Sequence, residues 1–207
     1  NGAGAAGTAI ANLLRCVGQD KSVCEPVRDI IVCDSKGIIT RDRADIVNDV
    51  HKMKLASISN HEQRKGSLAD AMKGADVFIG VSKGGLLQAE LIKTMNDKPI
   101  IFAMANPTPE IMPDIALAAG AFIVGTGRSD FPNQVNNVLA FPGIFRGAID
   151  ARAKTITNSM KIGAAFALAE AVENPTRESV LPSPLDKSVP QKIAARVAEI
   201  YMHEILH

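Results

Sequence analysis

Apolar and polar positions fall in blocks along this chain. Residues 5–17 are rich in alanine and leucine, lack proline, and place Ile10, Leu13, Leu14 and Val17 on one helical stripe, which predicts a helix opening inside a glycine-rich segment. Residues 29–37 form a short apolar run that stops at Asp34 and a turn, the pattern of a buried parallel strand. From Arg41 to Lys65 the chain is polar and reads as helix and loop with a surface face. Three further apolar runs, at 75–85, 98–110 and 119–130, end in small or turn-forming residues, with helical segments predicted at 86–95 and 109–120. Strands alternating with helices predict an α/β fold, a Rossmann-like doubly wound parallel sheet with right-handed crossovers. The pattern then turns helical, over 149–173 and, after a proline-rich loop, over 189–207. In the last helix Ile193, Val197, Ile200 and Tyr201 share a face that predicts core packing, a subunit contact being the other use of such a face. No internal repeat or low-complexity tract interrupts this order.

Composition narrows the picture. A chain of 207 residues, 46% hydrophobic and 22% charged, is long enough for one good core, so a single domain is the default. With 23 basic and 22 acidic residues the net charge is +1, which leaves no electrostatic footprint for nucleic acid and no charged block for a membrane surface. No apolar run reaches the roughly 18 residues of a membrane span, and no secretory leader is expected. A cytoplasmic protein with small molecules or other protein chains as partners is expected. Cys16, Cys24 and Cys33 form no C-x-x-C pair and are odd in number, which predicts reduced thiols.

The segment Gly2-Ala3-Gly4-Ala5-Ala6-Gly7 satisfies G-x-G-x-x-G and runs directly into the predicted helix. Its first glycine suits the tight turn, the second lets backbone approach a pyrophosphate, and the third lets helix and strand pack closely. The helix N-terminus then offers free N–H groups and a positive dipole end to phosphate. Asp34 falls where the second strand ends and is placed to accept from adenosine ribose hydroxyls, a solvated turn aspartate being the alternative. An acid there favours NAD, while Ser35 and Lys36 beside it soften that preference by meeting a 2′-phosphate. Such a loop is held by a buried central strand immediately before it, so the sequence reads as a fragment whose first strand precedes Asn1.

Ligands of open α/β sheets bind beyond the carboxyl ends of the strands, which directs attention to residues 80–85, 106–109 and 125–130. The first of these loops is either a plain βα turn or a surface for the nucleotide. Asn106, before a proline, is either a turn former or a donor to a substrate carboxylate beside the nicotinamide. Asn136 and Asn137, ahead of an apolar run and a Pro-Gly break, read as helix caps or as polar groups inserted into a pocket. His51, His61, His203 and His207 sit in polar or terminal positions and receive no role, and no carboxylate cluster forms a complete metal site.

Together NGAGAAG, CDSKG, IGVSKGGL, FAMANPTPE and TGRSDFPNQVNNVLAFPGIFRGAID resemble the C-terminal, nucleotide-binding half of bacterial malic enzymes. The resemblance covers nearly all 207 residues and makes 1–207 one NAD(P)-binding domain; ANPTPE and TGRSDFPNQVNNVLAFPG are its most specific parts. It implies oxidative decarboxylation of malate to pyruvate and CO2 with NAD or NADP and Mg²⁺ or Mn²⁺. Hydride leaves C2 for the nicotinamide, the metal polarises the new carbonyl, decarboxylation gives enolpyruvate, and an acid tautomerises it. Carried over by motif, Gly2, Ala3, Gly4, Ala5, Ala6 and Gly7 bind the pyrophosphate, Asp34 and Ser35 the ribose end, and Val81, Ser82 and Asn106 the neighbouring cofactor surface. Asn106 and Asn137 become substrate amides that hold malate C2 near the nicotinamide. The family's catalytic tyrosine and lysine and its metal carboxylates lie before the glycine loop, and Tyr201, the only tyrosine, matches none of them. No catalytic residue and no metal ligand is therefore expected in this chain, which should bind nucleotide yet be inactive on malate alone, with the N-terminal half as its partner in a homodimer. A non-catalytic NAD(P)-binding regulatory module is the alternative, and a domain of another dehydrogenase is a further one against which the NPT and QVNN segments argue.

Overall fold

The computed structural model describes residues 1–19 and 24–206. The chain divides into two compact units, Asn1–Val17 with Glu25–Gly127 and Gly18–Cys24 with Arg128–His207.

The first unit opens with the glycine turn and helix α1 (Ala5–Leu14). The helix ends where the Arg15 and Cys16 N–H groups donate back to Ala11 and Leu13 and Cys16 takes a φ of 52°, three residues short of the predicted 5–17. Its buried residue is Ala11, while Leu13 of the predicted stripe is 38% exposed. The small side of the helix packs onto Val32, Ile39, Ile46, Leu55 and Ala56, so alanine and not leucine faces this core.

The stretch 29–37 is not one buried parallel strand. It carries β1 (Cys33–Asp34), paired antiparallel with β2 (Gly37–Ile38). The Asp34 carboxylate accepts from the Lys36 N–H at 2.9 Å and Gly37 sits at φ 109°, which closes the chain into a hairpin where the apolar run predicted extension. Helix α2 (Val50–Ile58) starts under an Asp49 cap, and α3 (Leu68–Met72) under the Ser67–Asp70 capping box.

The main sheet follows as predicted: β3 (Val77–Gly80), β4 (Ile100–Ala103) and β5 (Ile123–Thr126) run parallel in that order, with Val77 opposite Ile100 and Ile100 opposite Ile123. Between them α4 (Ala89–Ile92) and α5 (Pro113–Ala118) are far shorter than the predicted 86–95 and 109–120. Backbone bonds from Gly85 and Leu87 to Pro109 and Glu110 hold both flanks extended, and Pro113 permits helix only from its own position onward. The core under the sheet is Met72, Phe78, Leu87, Ile92, Ile101 and Val124. At the free edge of β3, the Asn1 nitrogen donates to the Ile79 carbonyl at 2.7 Å and the Asn1 carbonyl accepts from Val81 at 2.9 Å. On the other side the Gly2 N–H donates to the Cys33 carbonyl at 2.9 Å, so the glycine turn is slung between β3 and β1.

The second unit is helical: α6 (Phe141–Asp150), α7 (Asn158–Glu170) and α8 (Ser188–Leu206). The predicted helix over 149–173 is broken where Arg152 takes a φ of 52° and Thr157 caps α7 by accepting from the Met160 N–H. Gly143 and Gly147 bring α6 against α8, with Ile193 and Val197 filling the space a Cβ would need. The predicted face of α8 is in the core: Ile193 and Val197 are buried with Met160 and Val189, and Ile200 and Tyr201 pack against them. The final predicted position, His207, lies outside the described residues. Cys33 is a free, buried thiol, whereas Cys16 and Cys24 are disulfide-bonded, so the expectation of reduced thiols holds for Cys33 alone; their spacing carries no signal of such bonding. Among the described residues no helix is long and apolar enough to cross a membrane.

Candidate functional site

The three glycines of the turn meet different surroundings. At Gly2, with φ 120°, an added Cβ would lie 2.6 Å from the Val81 carbonyl oxygen. At Gly7 it would collide with the Gly2 carbonyl oxygen. At Gly4 it would meet no atom within 4 Å, and Gly4, Ala5 and Ala6 are exposed. The turn is therefore closed from below by Gly2 and Gly7 and open above Gly4. Helix α1 has no side-chain cap and no acidic residue in its first turn, and the Thr8 N–H is the first to bond back, to Gly4 at 2.9 Å. The amides of Ala5, Ala6 and Gly7 precede that bond, which leaves the positive end of the helix facing the open space.

Asp34, beyond Cys33, is not a solvated turn residue: its side chain is 8% exposed. Arg43 donates to both of its oxygens at 2.9 Å, Lys52 donates at 2.8 Å, and the Lys36 N–H completes the set. Burial raises the pKa of the carboxyl, but the bonds from Arg43 and Lys52 outweigh it and hold the group far below the usual aspartate range. Arg43 also pairs with Asp45, as does Lys36 at 3.1 Å, and Ser35 is exposed. Arg43 and Lys52 were not singled out from the sequence, because separations of 9 and 18 residues follow no local period. The available signal was chemical: an acid at a buried strand end needs counter-charge.

Past β3 and β4, Val81 lies against Gly2, and the exposed Ser82 accepts at Oγ from the Asn1 amide at 2.6 Å. Asn106 is exposed and joined to Pro107 by a cis peptide bond. Glu110, also absent from the sequence-derived candidates, is fully buried: its Oε1 accepts from the Ser82 N–H at 3.0 Å and its Oε2 from the Ala105 N–H at 2.9 Å. The glycine turn, Val81, Ser82 and Asn106 thus lie at the carboxyl ends of β3 and β4, the side of a parallel sheet where ligands bind, and Asp34 ends β1 of the separate antiparallel hairpin, tied to the turn through the Gly2–Cys33 bond.

The asparagine pair belongs to the second unit. The Asn136 side chain accepts from the Val138 N–H at 3.0 Å, the cap alternative, and the exposed Asn137 opens the 3₁₀ turn Asn137–Leu139. Nearby Asn133, which the sequence did not single out, is 6% exposed; it donates to the Arg177 carbonyl and accepts from the Val180 N–H, fastening that loop. Burial pushes the Cys33 thiol up to about 11, which keeps it protonated and inert at neutral pH. Among the described residues no three His, Cys, Asp or Glu side chains converge as metal ligands.

An uncapped helix end above a glycine with free space beside it, on the ligand side of a parallel sheet, puts this chain in the class of Rossmann-like nucleotide-binding domains. Comparison with known proteins narrows the class. Residues 1–202 match the family described as malic enzyme, NAD binding domain, and the chain belongs to that family. The bifunctional malic/malolactic enzyme of Bacillus subtilis is 53% identical over 98% of this chain and 48% of its own length. An NADP-dependent malic enzyme of Rhizobium meliloti is 48% identical over 87% of this chain and 22% of its own length. The crystal structure of Entamoeba histolytica malic enzyme superposes with a TM-score of 0.88 at 40% identity, covering 98% of this chain and 42% of that one. The chain thus spans about half the length of the Bacillus relative, or less in the others.

Proposed function

We propose that residues 1–207 are the nucleotide-binding domain of an enzyme that oxidatively decarboxylates malate to pyruvate and CO2 with NAD or NADP. The observation that carries this reading is the open cradle above Gly4 in a chain whose residues 1–202 match the malic enzyme NAD binding domain. A bound nicotinamide supplies the acceptor for the hydride that leaves C2 of malate. The turn from Gly2 to Gly7, through Ala3, Gly4, Ala5 and Ala6, takes the pyrophosphate on the α1 amides. Asp34 and Ser35 take the ribose end, with Arg43 and Lys52 neutralising the carboxylate so that a 2′-phosphate is tolerated beside it. Val81 and Ser82 flank the cofactor, and the Asn106 amide beside them donates to a malate carboxylate; the motif resemblance gives Asn137, in the second unit, a malate-binding role as well. Mg²⁺ or Mn²⁺ would be held, along with the catalytic acid and base, by the N-terminal half of a longer, cytoplasmic, homodimeric enzyme.

Titration of the protein with NADH and NADPH, followed by nicotinamide fluorescence, tests the cradle. Gly4→Ala adds a methyl group that touches no protein atom within 4 Å, so melting temperature should hold while affinity for both nucleotides falls about tenfold. Unchanged affinity in Gly4→Ala would remove the phosphate from this turn.

A further inference from the structure

We infer that Glu110 is a positioning residue that sets the nucleotide-side and substrate-side loops at a fixed separation, an inference that rests on the functional reading above. Ser82 lies two residues beyond the end of β3 and Ala105 two residues beyond the end of β4. One carboxyl group, itself 0% exposed, accepts the N–H of both, one on each oxygen. The backbone of the same segment adds two straps, Gly85 N–H to the Pro109 carbonyl and Leu87 N–H to the Glu110 carbonyl, both at 2.9 Å. Gly80 makes room for this arrangement, because a Cβ there would collide with the Glu110 carboxyl.

The sheet does not require the bridge. Gly80 and Ala103 are already in register, and the Met104 N–H already donates to the Gly80 carbonyl at 3.0 Å. What the carboxyl fixes is the chain beyond the sheet: Val81 and Ser82 on one side, Ala105 and Asn106 on the other. The Ala105 N–H is buried and the Ser82 N–H half-buried, so water does not readily replace the carboxyl at either, and a carboxyl enclosed between them is itself costly unless both bonds are kept. Its chemistry is also specific. A carboxyl offers two acceptor oxygens; the amide of Glu110→Gln offers one acceptor and one donor, so either Ser82 or Ala105 must lose its partner.

The test uses the full-length protein. Backbone amide hydrogen exchange is read first, without ligand: E110Q should accelerate exchange at Ser82 or Ala105 by about tenfold or more while the strands stay protected. Nucleotide Kd should then rise about tenfold and kcat/KM for malate fall about a hundredfold, with most of the loss in kcat, the size a displacement of about 1 Å produces in a positioned site. G80A, which shifts the same carboxyl without removing it, should reproduce the split, and it carries the test if E110Q does not fold. Unchanged exchange, unchanged binding and kinetics in a folded variant, or a loss that only tracks the unfolded fraction would each overturn the inference. If wild type itself binds neither NADH nor NADPH, the functional reading fails first, which the wild-type arm detects separately.

Discussion

Asp34 carries a stability role through its ion pairs beside the site role proposed for it. Its pKa is depressed in the folded state, so its contribution is fully present above the ordinary aspartate range and is lost progressively as pH falls from that range through the lowered value. Asp34→Asn keeps the shape but leaves Arg43 and Lys52 without their carboxylate. It should cost about 2 kcal/mol at neutral pH, a difference from wild type that shrinks as both are taken to strongly acidic pH in urea titrations. A constant difference across that range would mean that the ion pairs contribute nothing. Gly2 and Gly7 were legible as positions that need glycine, and Asp34 as the acid that ends an apolar run, because residue type restricts what such positions do. Arg43, Lys52 and Glu110 were not, because their importance comes from what the fold places beside them.

At the scale of elements, the three parallel strands β3, β4 and β5 were readable as apolar runs ended by small residues, since burial on both faces leaves that mark on the sequence. The helices between them were overestimated because apolar content does not reveal the backbone straps from 85 and 87 to 109 and 110. The first strand pair was misjudged for the same reason, an Asp34–Lys36 turn closing a hairpin locally. The joint between α1 and the glycine turn makes a sharp contrast with Gly4. Gly7→Ala would drive a methyl group into the Gly2 carbonyl, so the variant should lose at least about 3 kcal/mol in denaturant unfolding, whereas Gly4→Ala should lose almost none. Equal effects of the two substitutions would refute the division of labour within the turn.

For the whole molecule, the α/β class followed from alternation alone, the division into two compact units did not, and malate entered only through motif resemblance and family membership. The neutralised Asp34 predicts that NAD and NADP both serve, within about tenfold of each other in affinity, a discrimination of about 1.4 kcal/mol. The most direct measurement is malate-dependent reduction of NAD and of NADP, followed by nicotinamide absorbance, on the purified full-length protein with Mn²⁺. Malate-dependent reduction of both nucleotides, lowered in proportion to lost affinity by Gly4→Ala, is the predicted result. A folded full-length protein that binds nucleotide yet gives no malate-dependent signal would contradict the enzyme and leave a nucleotide-binding module in its place.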